Sequence, residues 1–243
     1  MTGTRIPAPD APEIQPLLRR HGLGGASAAL VYFSFASPTS FIGTHDHDGR
    51  ITPLIEFLPL PVHGAELLAA IAGIDENGTR LVANYREAFP DLYAQLAAFG
   101  TDLGPVRSAA LGWLFGAGSL VLGLREDDMA RATLPGQSGV RLDTVVIEAD
   151  GRYLFDGRRL LRSLMSYRIA EVPRDQLARS VFESMGDFAA DAIRRLLREW
   201  DARAVLCAGD LFAGNRLLRD RARTGLTRVR RPVLFPDPAR KVA

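Results

Sequence analysis

The chain has 243 residues, of which 47% are hydrophobic and 24% charged, a composition typical of a globular protein with an ample core. Its formal net charge is only +2, so the pI near 9.0 gives no indication of nucleic-acid binding. The single cysteine, Cys207, excludes an intramolecular disulfide and a cysteine-rich zinc site. Because it stands in an apolar run, we expect a buried, unreactive thiol.

The N-terminal residues 1–25 are expected to form a loose arm, and residues 26–243 a single α/β domain. The first residues show no apolar signal core, which favours a cytoplasmic protein. The apolar run 108–124 is near the shortest length that spans a membrane, and it contains glycines. We therefore expect a buried core helix there and no membrane span.

The predicted elements follow an α/β order. Residues 26–35 have strand composition, and the β-rich runs on either side of Asp48-Gly49 predict a hairpin. A helical insertion at about 63–124 interrupts the strands. The further predictions, in chain order, are helices at 63–74, 89–100 and 107–124, strands around Asp150-Gly151, a helix at 156–167, a long amphipathic helix from Arg174 to Trp200, a strand at 204–208, a helix at 211–223 and a strand at 232–236.

Residues 204–220 have the pattern of a buried strand, a turn at Gly209 and Asp210, and a helix. Their sequence is AVLCAGDLFAGNRLLRD. Such a turn can present backbone N–H groups to the phosphate of a nucleotide. Alternatively, Asp210 is the N-cap of the helix, which contributes about 1 kcal/mol. Its carboxylate would repel a phosphate unless a metal ion intervened. The spacing alone favours the cap.

Two imidazoles and two carboxylates stand together in Thr44-His45-Asp46-His47-Asp48. In an extended strand His45 and His47 would project from one face, and both are competent metal ligands. A metal site needs a third ligand from elsewhere, and a solvated hairpin tip is the simpler interpretation. The sequence contains no Ser/His/Asp set, Walker loop or G-x-G-x-x-G motif.

Several segments between about 40 and 235 resemble, in the same order, the motifs of one family. They are GTHDHDGRI (43–51), EFLPLPVHGAE (56–66), REAFPDLYAQL (86–96), GWLFGAGSLVLG (112–123), PGQSGVRLD (135–143), LARSVFESMGDF (177–188) and CAGDLFAGNRLL (207–218). The chain thereby resembles the carbamoyltransferase that helps to make the cyanide ligands of [NiFe] hydrogenases. The resemblance implies an actin-like or Hsp70-like (ribonuclease H-like) lobe, shortened relative to the family, with a vestigial nucleotide site at Gly136, Gln137, Gly209, Asp210 and Asn215.

The chain departs from the family motifs at their polar positions, which carry Ile42, Pro53-Leu54, Trp113, Gly116, Pro135, Phe182 and Asp210. Carboxylates that hold metal and glycines that admit anionic oxygen are thereby lost. The resemblance implies a non-catalytic homologue that needs no cofactor. It would be a partner or scaffold in [NiFe]-hydrogenase assembly, bound to a maturation factor, a hydrogenase subunit or a second copy of itself.

Two alternatives stay open. The chain could be an active carbamoyl- or nucleotide-transferring enzyme, using ATP and Mg²⁺, that another subunit completes. It could also be a metal- or small-ligand-binding module built on His45 and His47.

Overall fold

The computed structural model describes residues 14–35, 37, 39–100, 111–125, 129 and 138–237. Within them a mixed sheet of seven strands has the order β4-β5-β3-β2-β1-β6-β7. The strands are β1 (Ala28–Tyr32), β2 (Phe41–His45), β3 (Ile51–Phe57), β4 (Val146–Ala149), β5 (Arg152–Phe155), β6 (Ala204–Ala208) and β7 (Val233–Leu234).

All residues of the neighbouring strands β1 and β6 are buried. They pair in parallel, while β1, β2 and β3 form an antiparallel meander. A strand that is covered on both faces has a continuous apolar sequence, which explains why both of these strands could be predicted. The predicted hairpin is confirmed, because the Asp46 carboxylate accepts from the amides of Asp48 (3.0 Å) and Arg50 (2.8 Å), and Gly49 has φ 81°.

Nine helices accompany the sheet in the described part of the chain. They are α1 (Ile14–Arg20), α2 (Gly64–Ala72), α3 (Glu76–Ala88), α4 (Pro90–Ala98), α5 (Leu111–Leu122), α6 (Gly157–Ile169), α7 (Arg174–Glu199), α8 (Asp210–Gly214) and α9 (Arg216–Gly225). The long helix predicted from Arg174 is confirmed as α7. The helix α3 was not predicted, since its sequence ENGTRLVANYREA is mostly polar.

The predicted loose arm differs from the structure in its second half. Residues Ile14, Leu17 and Leu18 of α1 are buried against Leu30 and Tyr32 on one face of the sheet. The opposite face carries the main core, to which α5, α6 and α7 contribute. A short amphipathic helix gains its stability from such packing more than from its own propensity, which is why sequence pattern alone missed it.

The apolar run 108–124, which the sequence analysis compared with a membrane span, forms the core helix α5 in the part that the structure describes. Ten of its twelve residues are buried. Its Trp113 ring stacks on Phe99 at 4.3 Å between centroids and donates from Nε1 to the Pro61 carbonyl at 2.9 Å. Among the described residues, every helix is too short or too polar to cross a bilayer.

The predicted helix 211–223 is two helices, α8 and α9, separated at Asn215. This residue has φ −106° and ψ 105°, outside the helical region, and so breaks the run of hydrogen bonds. The chain can therefore change direction between the end of β6 and the face on which α9 packs against α7.

Candidate functional site

The turn that follows β6 is set by a close approach of two backbones. Because β1 and β6 are parallel neighbours, their carboxyl ends meet, and residues 33–35 lie beside residues 209–211. Gly209 has φ 99°, and a Cβ built on it would lie 2.1 Å from the Phe33 carbonyl oxygen. Only glycine fits both the torsion and the contact. The Leu211 amide then donates to the same Phe33 oxygen at 3.3 Å.

Asp210 lies in this turn, but it is not the N-cap of α8. The N-cap is Gly209, and Asp210 is the first helical residue. Its carboxylate points across to the end of β1, where it accepts from the Phe35 amide (2.6 Å) and from the Ser34 hydroxyl (3.0 Å). The expected cap is therefore wrong, because a better set of donors belongs to the neighbouring strand end.

The loop after β1 is folded around this carboxylate. The Ser34 hydroxyl accepts from the Ser37 amide (2.9 Å), and the Ser34 amide donates to the Ser40 hydroxyl (3.0 Å). A carboxylate that accepts from a backbone N–H makes a charge-assisted hydrogen bond, roughly twice as strong as a neutral one. Asp210 thus holds two strand-end loops together.

Asn215, a predicted nucleotide residue, is the N-cap of α9. Its side-chain oxygen accepts from the Leu218 amide at 2.9 Å, and the residue is only 8% exposed. A buried cap with this bond has a structural role of its own. The other two predicted residues, Gly136 and Gln137, lie outside the described residues.

The segment directly after them, 138–143, is held along α7 by side chains that accept from its backbone. Glu183 accepts from the Gly139 amide (2.9 Å), Ser180 from the Val140 amide (2.8 Å) and Ser184 from the Leu142 amide (2.9 Å). Residues three and four apart share one face of a helix, so these three acceptors form one row. These three side chains accept the backbone hydrogen bonds of the segment that a neighbouring strand would accept in a sheet.

Glu183 is an acidic residue of α7 that the fold buries. It is 7% exposed, and it also accepts from Nε of Arg179 at 2.7 Å. Gly139 permits this contact, because a Cβ there would lie 2.7 Å from the Ser180 Cα. The signal in the sequence was the spacing of Ser180, Glu183 and Ser184, which is that of a helix face.

The two histidines His45 and His47 differ in burial. His45 ends β2 and is 1% exposed, with Nε2 2.7 Å from Gln15 Nε2 and Nδ1 3.3 Å from the Ala26 carbonyl oxygen. One consistent arrangement has Gln15 donating to Nε2 and Nδ1 donating to Ala26, which is a neutral imidazole. His47 lies in the exposed turn beyond the strand.

Metal binding through this pair stays a prediction. It would require His45 to give up its partner at whichever ring nitrogen bound the metal ion. Within the ranges that the structure describes, no group of three or more His, Cys, Asp or Glu side chains is placed to hold a metal ion.

A polar groove of about 480 Å³ lies between α3 and α6. At one side Arg162 donates to Asp75 at 2.7 Å, and Asp75 also accepts from the Gly78 amide at 2.8 Å as the N-cap of α3. These bonds, the Gly78 amide first, lower the pKa of Asp75 below its ordinary value of 3.8. The groove carries arginine, asparagine, serine and aspartate together, so its chemistry selects no one class of ligand.

Comparison with known proteins finds similarity to a curated protein and to solved structures, two of which are described below. No family model matches the sequence. Protein HydE of Wolinella succinogenes is 28% identical over an alignment of 217 residues, which covers 84% of this chain and 38% of that protein. The chain thus spans about two fifths of this relative's length.

Full-length HypF, in its phosphate- and nucleotide-bound form, and HypF of T. kodakarensis both match with a TM-score of 0.62 at 14% identity. The matches cover 91% of this chain and 38% and 32% of those chains, respectively. The described structure is a mixed α/β fold similar to a part of HypF.

Proposed function

We propose that this chain is a non-catalytic homologue of HypF, the hydrogenase-maturation carbamoyltransferase, and acts as a partner or scaffold protein in [NiFe]-hydrogenase assembly. The similarity to HydE and the likeness in fold to HypF support the hydrogenase-maturation context. We include the actin-like assignment in the proposal; the mixed sheet and the helices inserted between β3 and β4 support it.

The observation that carries the non-catalytic role is the position of the Asp210 carboxylate. Backbone amides and hydroxyls at the carboxyl ends of strands are the groups that would meet a phosphate in an α/β protein. Here the Phe35 amide and the Ser34 hydroxyl donate to Asp210 instead. A phosphate would have to displace this carboxylate and approach its charge, and two like charges 4 Å apart repel by about 1 kcal/mol even in bulk water.

The apolar residues at the family's polar positions also belong to the core. Phe182 is 1% exposed, and its ring lies 5.4 Å from that of Phe115. Trp113 is 4% exposed and stacked on Phe99. Ile42 is 1% exposed on β2. These side chains fill the interior, so none of them is available to hold a metal or a phosphate.

Calorimetric titration of the purified chain with ATP and Mg²⁺ tests the proposal. We expect no saturable heat at micromolar to low-millimolar nucleotide. If a binding signal does appear, Asn215→Ser is titrated in the same way and compared with the unaltered chain. This variant retains the oxygen that caps α9. Micromolar binding by the unaltered chain would overturn the proposed role.

A second candidate is an active carbamoyl- or nucleotide-transferring enzyme that another subunit completes. The observation in its favour is the order of elements at Gly209, where the buried strand β6 leads directly into a helix, as in the phosphate sites of α/β proteins. Mixing the chain with a co-purified partner and following ATP turnover separates the two roles. Turnover that needs both proteins favours the second; a stable complex without turnover favours the first.

A partner or second copy should cover exposed apolar surface. Among the described residues, the large hydrophobic side chains most exposed are Phe35 (40%), Leu54 (41%) and Tyr153 (55%). Leu54 and Tyr153 stand on the neighbouring strands β3 and β5, and Phe35 follows β1. Light scattering after gel filtration, alone and with candidate partners, tests this expectation. A monomer that captures no maturation factor or hydrogenase subunit would contradict the scaffold role.

A further inference from the structure

A groove of about 360 Å³ lies at the carboxyl end of α7, where the segment 228–231 passes over the last turn of the helix. Five arginines line it: Arg194, Arg198, Arg228, Arg230 and Arg231. Asp201 is the one carboxylate of the lining. The lining thus has a formal charge of +4 (five arginines, one aspartate), although the whole chain carries only +2. Positive charge thus exceeds negative charge along the lining of the groove.

Two of the arginines are fixed by the protein itself. Arg231 donates to the Ala202 carbonyl (2.8 Å) and to the Asp201 carboxylate (2.9 Å), which uses the only acid of the lining. Arg194 donates to the Gly225 carbonyl (3.0 Å) and pairs with Asp191. These two side chains therefore form part of the wall of the groove, and their donors are directed to groups of the protein itself.

The remaining three arginines, Arg198, Arg228 and Arg230, are exposed and have no ion-pair partner in the described part of the chain. An arginine presents several N–H donors in a planar fork that matches a carboxylate. The groove therefore contains three arginines without an ion-pair partner among the described residues, next to two arginines that the protein itself binds.

The lining of the groove also contains three half-buried apolar residues, Leu197, Trp200 and Val229, which pack against the main core. The Trp200 indole N–H has no acceptor among the described residues, so it is a further donor. Arginine and tryptophan are the residue types that are enriched in binding hot spots. An apolar side chain flanked by carboxylates would satisfy both parts of this surface.

We propose that this groove binds an acidic peptide segment of a partner protein, with its carboxylates on Arg198, Arg228 and Arg230 and an apolar side chain on Leu197 and Trp200. A nucleic acid fits less well, because it needs a long basic track for its phosphates and the charge here is confined to one short groove. The inference rests on the proposed function only in taking the occupant to be a protein.

The test uses the full chain and a synthetic peptide of alternating acidic and leucine residues. Trp200 fluorescence reports binding, since the other tryptophan, Trp113, is buried in the core. We expect saturable binding in low salt that weakens at least tenfold in the double variant Arg198→Glu/Arg230→Glu. The matched control is Arg50→Glu/Arg216→Glu, which makes the same charge change at exposed positions outside the groove and should leave binding within about twofold.

Equal loss of affinity in both double variants would overturn the proposal, as would the absence of peptide binding. Tighter binding of a single-stranded oligonucleotide with the same arginine dependence would also overturn it, in favour of nucleic acid. Circular dichroism of each variant checks that the fold is retained. ATP binding measured by calorimetry would contradict the non-catalytic role but leave the peptide result unaffected, so the two failures are distinguishable.

Discussion

The amide nitrogen of Phe35 lies 2.6 Å from Oδ1 of Asp210, so a side chain at the end of β6 binds the backbone that follows β1. The parallel pairing of the two strands brings these ends together. A carboxylate in this place is both an internal ligand for the loop and a charge that opposes phosphate. One residue thereby links the stability of the turn to the proposed loss of nucleotide binding.

Replacing Asp210 should loosen this turn. We expect Asp210→Ala to lower the free energy of unfolding by about 1–3 kcal/mol, because the Phe35 amide and the Ser34 hydroxyl lose an acceptor and Ser34 is only 3% exposed. Denaturant unfolding measures the change. The control Asp220→Ala removes only surface ion pairs with Arg216 and Arg223 and should cost less than about 0.5 kcal/mol. Equal costs would contradict the role of Asp210.

Asn215 should matter for stability through its cap. Asn215→Ala should destabilise the chain by about 1 kcal/mol, since the Leu218 amide loses its partner, and Asn215→Ser or Asn215→Asp should restore most of the loss. Thermal unfolding of the three variants checks the order. If the serine variant were as unstable as the alanine variant, capping would not be the contribution of this residue.

Glu183 should be the most sensitive acid of α7. Glu183→Ala removes a buried acceptor to which the Gly139 amide and Arg179 Nε donate, which we expect to cost about 1–3 kcal/mol. Faster hydrogen exchange at residues 139–142 would show that the segment has detached from α7. The control Glu199→Ala, exposed at the end of the same helix, should change the unfolding free energy by less than about 0.5 kcal/mol.

Cys207 should be inert in the native protein. It is fully buried in β6, and burial raises the pKa of its thiol well above the usual range. The thiolate is the reactive form, so a thiol reagent at pH 8 should label the folded chain only as fast as it unfolds. Full labelling is expected in guanidinium chloride. The control Ser166→Cys, at an exposed position of α6, should react within minutes; equal rates at both positions would contradict the burial of β6.

Asp75 should make stability depend on pH in acid. Its pKa is lowered in the folded state, so its stabilising effect is complete above an unfolded pKa near 3.8 and is lost as the pH falls through the lower folded value. We expect the melting temperature of the unaltered chain to exceed that of Asp75→Asn at pH 7, and the difference to shrink below about pH 4. A constant difference across this range would show that the Gly78 amide and Arg162 do not favour the ionised form of Asp75 in the folded state.

The sequence alone predicted the elements that carry a strong local signal. The runs of β1 and β6 are apolar throughout, the Asp48-Gly49 turn has specific backbone chemistry, and α7 repeats its apolar residues at helical spacing. Each of these signals depends on residues close together in the chain, so no knowledge of the fold was needed. The buried thiol of Cys207 followed from the same reasoning.

The tertiary structure decided what the polar residues do. Asp210 binds the end of β1 rather than its own helix, Glu183 is buried under the segment 138–143, and α1 covers one face of the sheet. Each role depends on a partner between 44 and 176 positions away, or on a sheet face assembled from distant strands. Periodicity and capping rules describe only residues that are close in the sequence. The roles of these side chains therefore depend on which strands and helices pack together in the tertiary structure.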